Sequence, residues 1–213
     1  EAVSDVRRLL HVRMFTLLLR YKSLRGHGFQ AAVGPAVWRV ITSRLGVGFE
    51  CCASPLNCYL PAYCSGFPDV DAPCGTCGSF FTLTISSGSY AINPPFVRCL
   101  LDASAKRVVE LLHVAAAAEV FHALSFVFFM PGWKETEAFT TLAESRCLRR
   151  SCVVAARDHG FCDGAAHQRQ DPFRESPYDT VVSVLQTDRA ANGGAGGGEP
   201  EAERRARRGG AGA

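Results

Sequence analysis

The chain has 213 residues, 47% hydrophobic and 20% charged, with a formal net charge of +3. This predicts one globular domain with a core of ordinary size and some length left for appendages; the mild basic excess permits a nucleic-acid partner without requiring one. The longest apolar runs are too short and too interrupted by Arg13, Arg20 or His122 to form a membrane span, so no membrane partner is expected, and no signal peptide is visible. Ten cysteines would suggest a disulfide framework in a small secreted chain. Here Cys51, Cys52, Cys99, Cys147 and Cys152 fall inside apolar or helical patterns, where a free thiol acts as a small hydrophobe, and a reducing compartment is expected. The chain starts at Glu1 without an initiator Met and reads as a fragment of something longer.

From Val3 to Leu24, Val6, Leu9, Leu10, Met14, Leu17 and Leu18 recur at helical spacing among Arg7, Arg8, Arg13, Arg20 and Lys22. The spacing predicts a basic amphipathic helix that packs on the core, with an RNA-contacting or membrane-surface role as the alternative. Gly26, Gly28 and Gly34-Pro35 mark a loop, and residues 37–45 a short helix carrying Trp38. Residues 46–52 read as a buried strand and Ala53-Ser54-Pro55-Leu56-Asn57 as the loop leaving it. In an open α/β sheet ligands bind beyond the carboxyl ends of strands, so Glu50 and that loop are candidates for the edge of a cofactor site; a merely solvated acid is the bland alternative.

Residues 57–67 are expected to be helical and 68–73 a turn-rich loop. Cys74-Gly75-Thr76-Cys77 is half of a zinc site with no second half at finger spacing, and no metal is assigned to it. Residues 80–85 read as a strand, residues 97–112 as a long amphipathic helix continuing into the alanine run, and residues 124–130 as a strand ending at Pro131-Gly132-Trp133-Lys134. Trp133 and Lys134 at a sheet edge suit base stacking and phosphate neutralisation, or simply a packed Trp with a snorkelling Lys. Residues 136–150 are expected as a helix, and 152–156 and 180–186 as strands. His159, Cys162, Asp163 and His167 between those strands fit a polar loop better than a metal site. The fold class is α/β, with a folded domain over residues 1–188 and a disordered Gly/Ala/Arg/Glu-rich tail over 189–213. In that tail Arg204-Arg205-Ala206-Arg207-Arg208 would serve as an RNA tether or a nuclear-import signal.

The most informative stretch is Ser86-Ser87-Gly88-Ser89-Tyr90-Ala91-Ile92-Asn93-Pro94-Pro95-Phe96. An amine on an aromatic ring is a poor nucleophile, and its hydrogens need acceptors that favour the tetrahedral nitrogen of the transition state. The Asn93 side-chain oxygen and the Pro94 carbonyl can serve. Pro94 and Pro95 remove backbone donors, so carbonyls face the site. Phe96 offers a ring for an extruded base. A Pro-rich turn with no chemistry is the alternative reading of these four residues.

Together these pieces resemble the methyltransferase domain of the phosphorylated CTD-interacting factor family, the cap-specific adenosine methyltransferases. The resemblance rests on Phe49-Glu50-Cys51-Cys52-Ala53-Ser54-Pro55-Leu56-Asn57-Cys58-Tyr59, Tyr63-Cys64-Ser65, Phe67-Pro68-Asp69, Asp71, Gly88-Ser89-Tyr90 and Asn93-Pro94-Pro95-Phe96. It continues through Leu124-Ser125-Phe126, Pro131, Trp133, His159, Phe161, Gly164, His167, Thr180 and Leu185-Gln186. It implies a Rossmann-like, S-adenosylmethionine-dependent methyltransferase fold acting on the N6 amine of a 2′-O-methyladenosine next to the mRNA cap, in the nucleus. Capped mRNA is then the implied substrate and the phosphorylated RNA polymerase II C-terminal domain an implied partner through regions not in this chain. By resemblance Asn93, Pro94, Pro95 and Phe96 form the catalytic loop. Glu50, Ala53, Ser54, Pro55, Asn57 and Asn93 border the methyl donor, and Phe96, Arg98, Trp133 and Lys134 face the RNA. The chain departs from the family at Arg98, where an acid is usual, at Lys134 in place of Arg, and at Thr136 and Glu137 in place of prolines; neither a WW module nor the preceding helical region is seen. A non-catalytic RNA- or polymerase-tail-binding relic and a DNA adenine methyltransferase are the rival readings.

Overall fold

The computed structural model describes residues 2–23, 31–118, 123–163, 171 and 173–192. The chain runs α1 (Ala2–Ser23), β1 (Ala31–Val33), α2 (Pro35–Leu45), β2 (Phe49–Ala53), β3 (Tyr63–Ser65) and α3 (Pro68–Asp71). It continues through β4 (Gly88–Ile92), α4 (Arg98–Ala117), β5 (Leu124–Pro131), α5 (Glu137–Ala143), β6 (Leu148–Val154), β7 (Gly160–Asp163), β8 (Phe173–Glu175), β9 (Thr180–Gln186) and α6 (Asp188–Ala191). Six strands form one mixed sheet in the order β3-β2-β4-β5-β9-β6. The β3/β2, β2/β4 and β4/β5 pairs are parallel, and β9 is antiparallel to both β5 and β6. β1, β7 and β8 form a separate antiparallel sheet.

Strand alternation splits the core in two. Tyr90, Ile92, Phe126, Phe128 and Met130 point to the face covered by α4 and α5, where they meet Leu101, Val108, Leu112, Ala138 and Leu142. Ala91, Val127 and Phe129 point the other way, to Trp38 and Ile41 of α2, Val33 of β1 and Phe161 of β7. β5 is buried along its whole length, which its unbroken apolar sequence requires of a central strand. Pro35 opens α2 at its first turn and Gly46, in the left-handed region at φ 63°, closes it.

Several sequence expectations are corrected. Residues 57–67 are not a helix: Pro61 cannot donate to one, and the Tyr59 and Leu60 N–H groups go to the Glu50 carboxylate instead of to carbonyls four residues back, after which the chain enters β3. Residues 80–85 are not a strand. Thr82 and Leu83 turn back on the Ser79 carbonyl while Phe80 and Ile85 are buried singly, and the strand forms at 88–92. The helix expected over 136–150 ends at Ala143, because residues 148–154 pair with β9. Gly160–Asp163 is strand, not loop, while His167 lies outside the described residues. The folded part runs past Asp188 into α6, where Ala190 is buried against the end of the sheet.

α1 matches its predicted span but not its predicted packing. Leu17 is buried, yet Val6, Leu9, Leu10 and Met14 are all exposed. Its last turn docks on α3: the Tyr21 hydroxyl donates to Asp71 Oδ2 at 2.6 Å, and Arg20 pairs with Asp69 and lies over the Phe67 ring. Among the described residues no helix is long and apolar enough to cross a membrane.

The small sheet is held by close backbone approach. A Cβ at Gly160 would come within 2.1 Å of the Arg174 carbonyl oxygen and 2.6 Å of the Phe173 ring. Gly160→Ala is therefore expected to pry β7 from β8 and destabilise the chain by about 1–3 kcal/mol. Hydrogen exchange should quicken at the β7 and β8 amides and stay unchanged in α4; equal exchange in both places would show that the sheet absorbs the methyl group.

Candidate active site

The connection from β2 to β3 runs to one side of β2, and the chain then returns to the other side as β4. The strand order thus reverses between β2 and β4, and in open α/β sheets that crevice is where ligands bind. A cleft opens there, enclosing about 290 Å³ of empty space including its mouth, lined by Glu50 and Cys52 of β2, Asn57, Ala91 and Asn93, Phe129, Trp38 and residues 31–33 of β1.

Asn93 follows the last residue of β4, half-buried between the two sheets. Its Nδ2 donates to the Ala31 carbonyl oxygen at 2.8 Å. A carbonyl only accepts, so the amide group must face Ala31 and Oδ1 must be the atom turned away from it. Asn93 Oδ1 is buried with no hydrogen-bond partner. A buried acceptor left bare costs free energy, and it gains most from a ligand that brings an N–H.

Glu50 is 6% exposed, and one carboxylate oxygen accepts both the Tyr59 and the Leu60 N–H at 2.6 Å. Burial pushes its carboxyl up to about 7, against the two backbone hydrogen bonds that favour the anion. Asn57 is held by Ser54: its Oδ1 accepts the Ser54 N–H at 2.8 Å and the Ser54 hydroxyl at 3.0 Å, and the Asn57 N–H returns to the Ser54 carbonyl. This closed turn fixes the path of the chain leaving β2.

The fold therefore brings Glu50, Asn57 and Asn93 to one cleft, while Ala53, Ser54 and Pro55 form its supporting loop. Pro94 is buried and Pro95 exposed. Phe96 packs edge-on against Phe161 with ring centroids 5.7 Å apart, touching both halves of the core. Arg98, Trp133 and Lys134 lie outside the cleft lining. Arg98 reaches Glu135 at 3.5 Å, both side chains largely in solvent, Trp133 meets the Tyr178 ring edge at 5.3 Å, and Lys134 is exposed. His159 bridges the Ala155 carbonyl and the Thr180 hydroxyl, both at 2.7 Å, and acts as a clasp between β9 and the turn before β7. Sequence reasoning missed Cys52, Trp38 and β1 as cleft walls. Trp38 carried a visible signal, a bulky indole on a short apolar helix; β1 has only Ala-Ala-Val, which carries none.

The family described as phosphorylated CTD interacting factor 1 WW domain matches residues 2–164, a span that here runs from α1 through β7. A mouse protein named mRNA (2′-O-methyladenosine-N(6)-)-methyltransferase is 36% identical over 184 residues, covering 82% of this chain and 25% of the relative. A human protein of the same name is 34% identical over 186 residues, covering 83% and 26%. The chain spans about a quarter of the length of these curated relatives.

Glu50 generates a pH prediction. A carboxyl whose pKa is raised in the folded state holds its proton more tightly there than in the unfolded chain, so its contribution to stability falls as pH rises from about 4.5 to 7 and stays low above that. Glu50→Gln, which cannot ionise, should gain in melting temperature relative to the parent across that window. A difference that stays constant between pH 4.5 and 8 would show that Glu50 titrates normally.

Proposed function

The chain belongs to the phosphorylated CTD interacting factor family, and from that premise we propose that it carries an S-adenosylmethionine-dependent adenosine-N6 methyltransferase site acting at the 5′ end of capped mRNA. The mixed sheet, with its site at the β2/β4 reversal and an antiparallel β9 inserted before β6, suits the Rossmann-like methyltransferase fold. The observation that carries the reading is Asn93 Oδ1, a buried acceptor without a partner, in a cleft at the carboxyl ends of parallel strands.

In this reading Asn93 Oδ1 accepts one hydrogen of the adenine amine and the Pro94 carbonyl the other. Both bonds strengthen as the nitrogen becomes tetrahedral, so they favour the transition state over the bound substrate. S-adenosylmethionine supplies an electrophilic methyl group. Glu50 and the Ser54–Asn57 turn fit the donor, because they offer a buried carboxylate and a fixed loop on the β2 side of the same cleft. The chain's own contribution is alignment, which alone accounts for a large share of the acceleration of a two-substrate reaction. Arg98 and Glu135 join the two loops at the carboxyl edge, where RNA would enter. The proposed setting is nuclear, with capped transcripts as substrate.

The test is transfer of labelled methyl from S-adenosylmethionine to RNAs that begin with adenosine, capped and uncapped. Transfer is expected to capped RNA, reduced on the order of 100-fold in Asn93→Ala, as for loss of one transition-state hydrogen bond. Absence of transfer together with absence of donor binding in a titration would overturn the enzyme reading, and RNA binding retained without transfer would replace it with a binding module.

A further inference from the structure

Two buried polar atoms on residues that line the cleft lack partners, and they are of opposite kind. Asn93 Oδ1 is the acceptor; the indole Nε1–H of Trp38 is the donor, on a side chain only 3% exposed. Both residues line the same cleft. The Trp38 ring has little freedom to turn its N–H elsewhere. It is packed among Val33, Ile41, Ala91 and Phe129 in the α2-side core and stacked on Tyr59, with ring centroids 5.3 Å apart and planes within 1°. A helix residue needed only for packing would be served by Phe or Leu; burying an indole N–H unpaired has a cost that a ligand can remove.

We propose that Trp38 Nε1–H is a specificity-determining contact that donates to the ring nitrogen next to the reactive amine, so that Asn93 and Trp38 together read the base edge. This rests on the adenosine reading of the site. The N6 amine and N1 of adenine are neighbours, one a donor and one an acceptor, and in kind they match the Asn93 oxygen and the Trp38 indole N–H of the one cleft. Guanine and uracil present a carbonyl and a ring N–H at the corresponding positions, which would set acceptor against acceptor and donor against donor. Cytosine shares adenine's pattern and is excluded only by ring size. Enzymes acting on an extruded base read this edge by hydrogen bonds, and a site built to pair with a polar group rejects an analogue lacking it because its own buried group is left bare.

The test compares capped RNAs beginning with adenosine or with 1-deazaadenosine, in which N1 is replaced by C–H, on the whole chain and on Trp38→Phe. The wild type is expected to lose roughly 10-fold in kcat/KM on the 1-deaza RNA, the usual size of one buried hydrogen bond. Trp38→Phe should show that loss already on adenosine and no further loss on the analogue, so the ratio between the two RNAs collapses to about one. An unchanged ratio in Trp38→Phe overturns the proposal, and so does a raised KM for S-adenosylmethionine at an unchanged ratio, which would put the indole on the donor. If the wild type transfers methyl to neither RNA, the enzyme reading fails separately, and the ratio is read from dissociation constants; equal binding of the two RNAs by the wild type, or no binding, then overturns the base-edge contact. The wild-type arm needs no variant to fold.

Discussion

The structure of the site depends on one hydrogen bond, from Asn93 Nδ2 to the Ala31 carbonyl oxygen at 2.8 Å. It joins the end of β4 in the six-stranded sheet to β1 in the small one, across 62 residues of sequence, and it decides which way the Asn93 amide faces. Without it the amide is free to flip, and an Asn whose NH₂ faced the cleft would repel an incoming amine. β1 is three residues long, with small side chains of which Val33 alone is buried. Its position comes from pairing with β7, whose Phe161 in turn braces Phe96. The chemistry of the Asn93 loop therefore rests on a strand ladder about 70 residues further along the chain.

The other wall of the cleft is fixed by Glu50 in a compromise. Burial disfavours its charge, while two backbone N–H groups at 2.6 Å favour it, and burial wins. Burial thus makes this carboxyl readier to take up a proton than a solvated one, although its two backbone hydrogen bonds still hold the loop. It is well suited to a place where a cation or a polar ligand arrives and settles the balance. Such perturbed groups gather at functional clefts, and Glu50 lines the same cleft as Trp38 and Asn93.

How much of this could be read from the sequence follows from where the determinants are local. α2, α4, β5 and β9 were legible because periodicity and length agree with burial. The place of the Asn93 loop at the end of a parallel strand, beside the cleft, agrees with where the sequence reading put a site. The segments misread were those where a distant group overrides local pattern: the Glu50 carboxylate diverting the N–H groups of Tyr59 and Leu60, and β9 capturing residues 148–150 from the end of a helical pattern. α1 shows the converse. Its period was read correctly, but period alone says nothing of what covers the helix, and most of its apolar residues are exposed here. β1 was illegible for a simpler reason: Ala-Ala-Val after a glycine-rich stretch has neither alternation nor bulk, and its place is set by Phe161 and Asn93.

The site divides into a rigid base and a loose rim. Asn93, Glu50 and Trp38 are gripped by core packing and backbone hydrogen bonds, so substituting any one disturbs several neighbours at once. Arg98, Lys134 and Glu135 stand largely in solvent, joined by at most an exposed ion pair that contributes little to stability. Arg98 and Lys134, the positions where the resemblance leads one to expect an acid and an Arg, fall on that rim, where a charge can reverse without disturbing the fold. Under the proposed function, substitution at this rim would act on how RNA is held at the mouth, while base-edge reading by Trp38 and alignment by Asn93 would both belong to the rigid base.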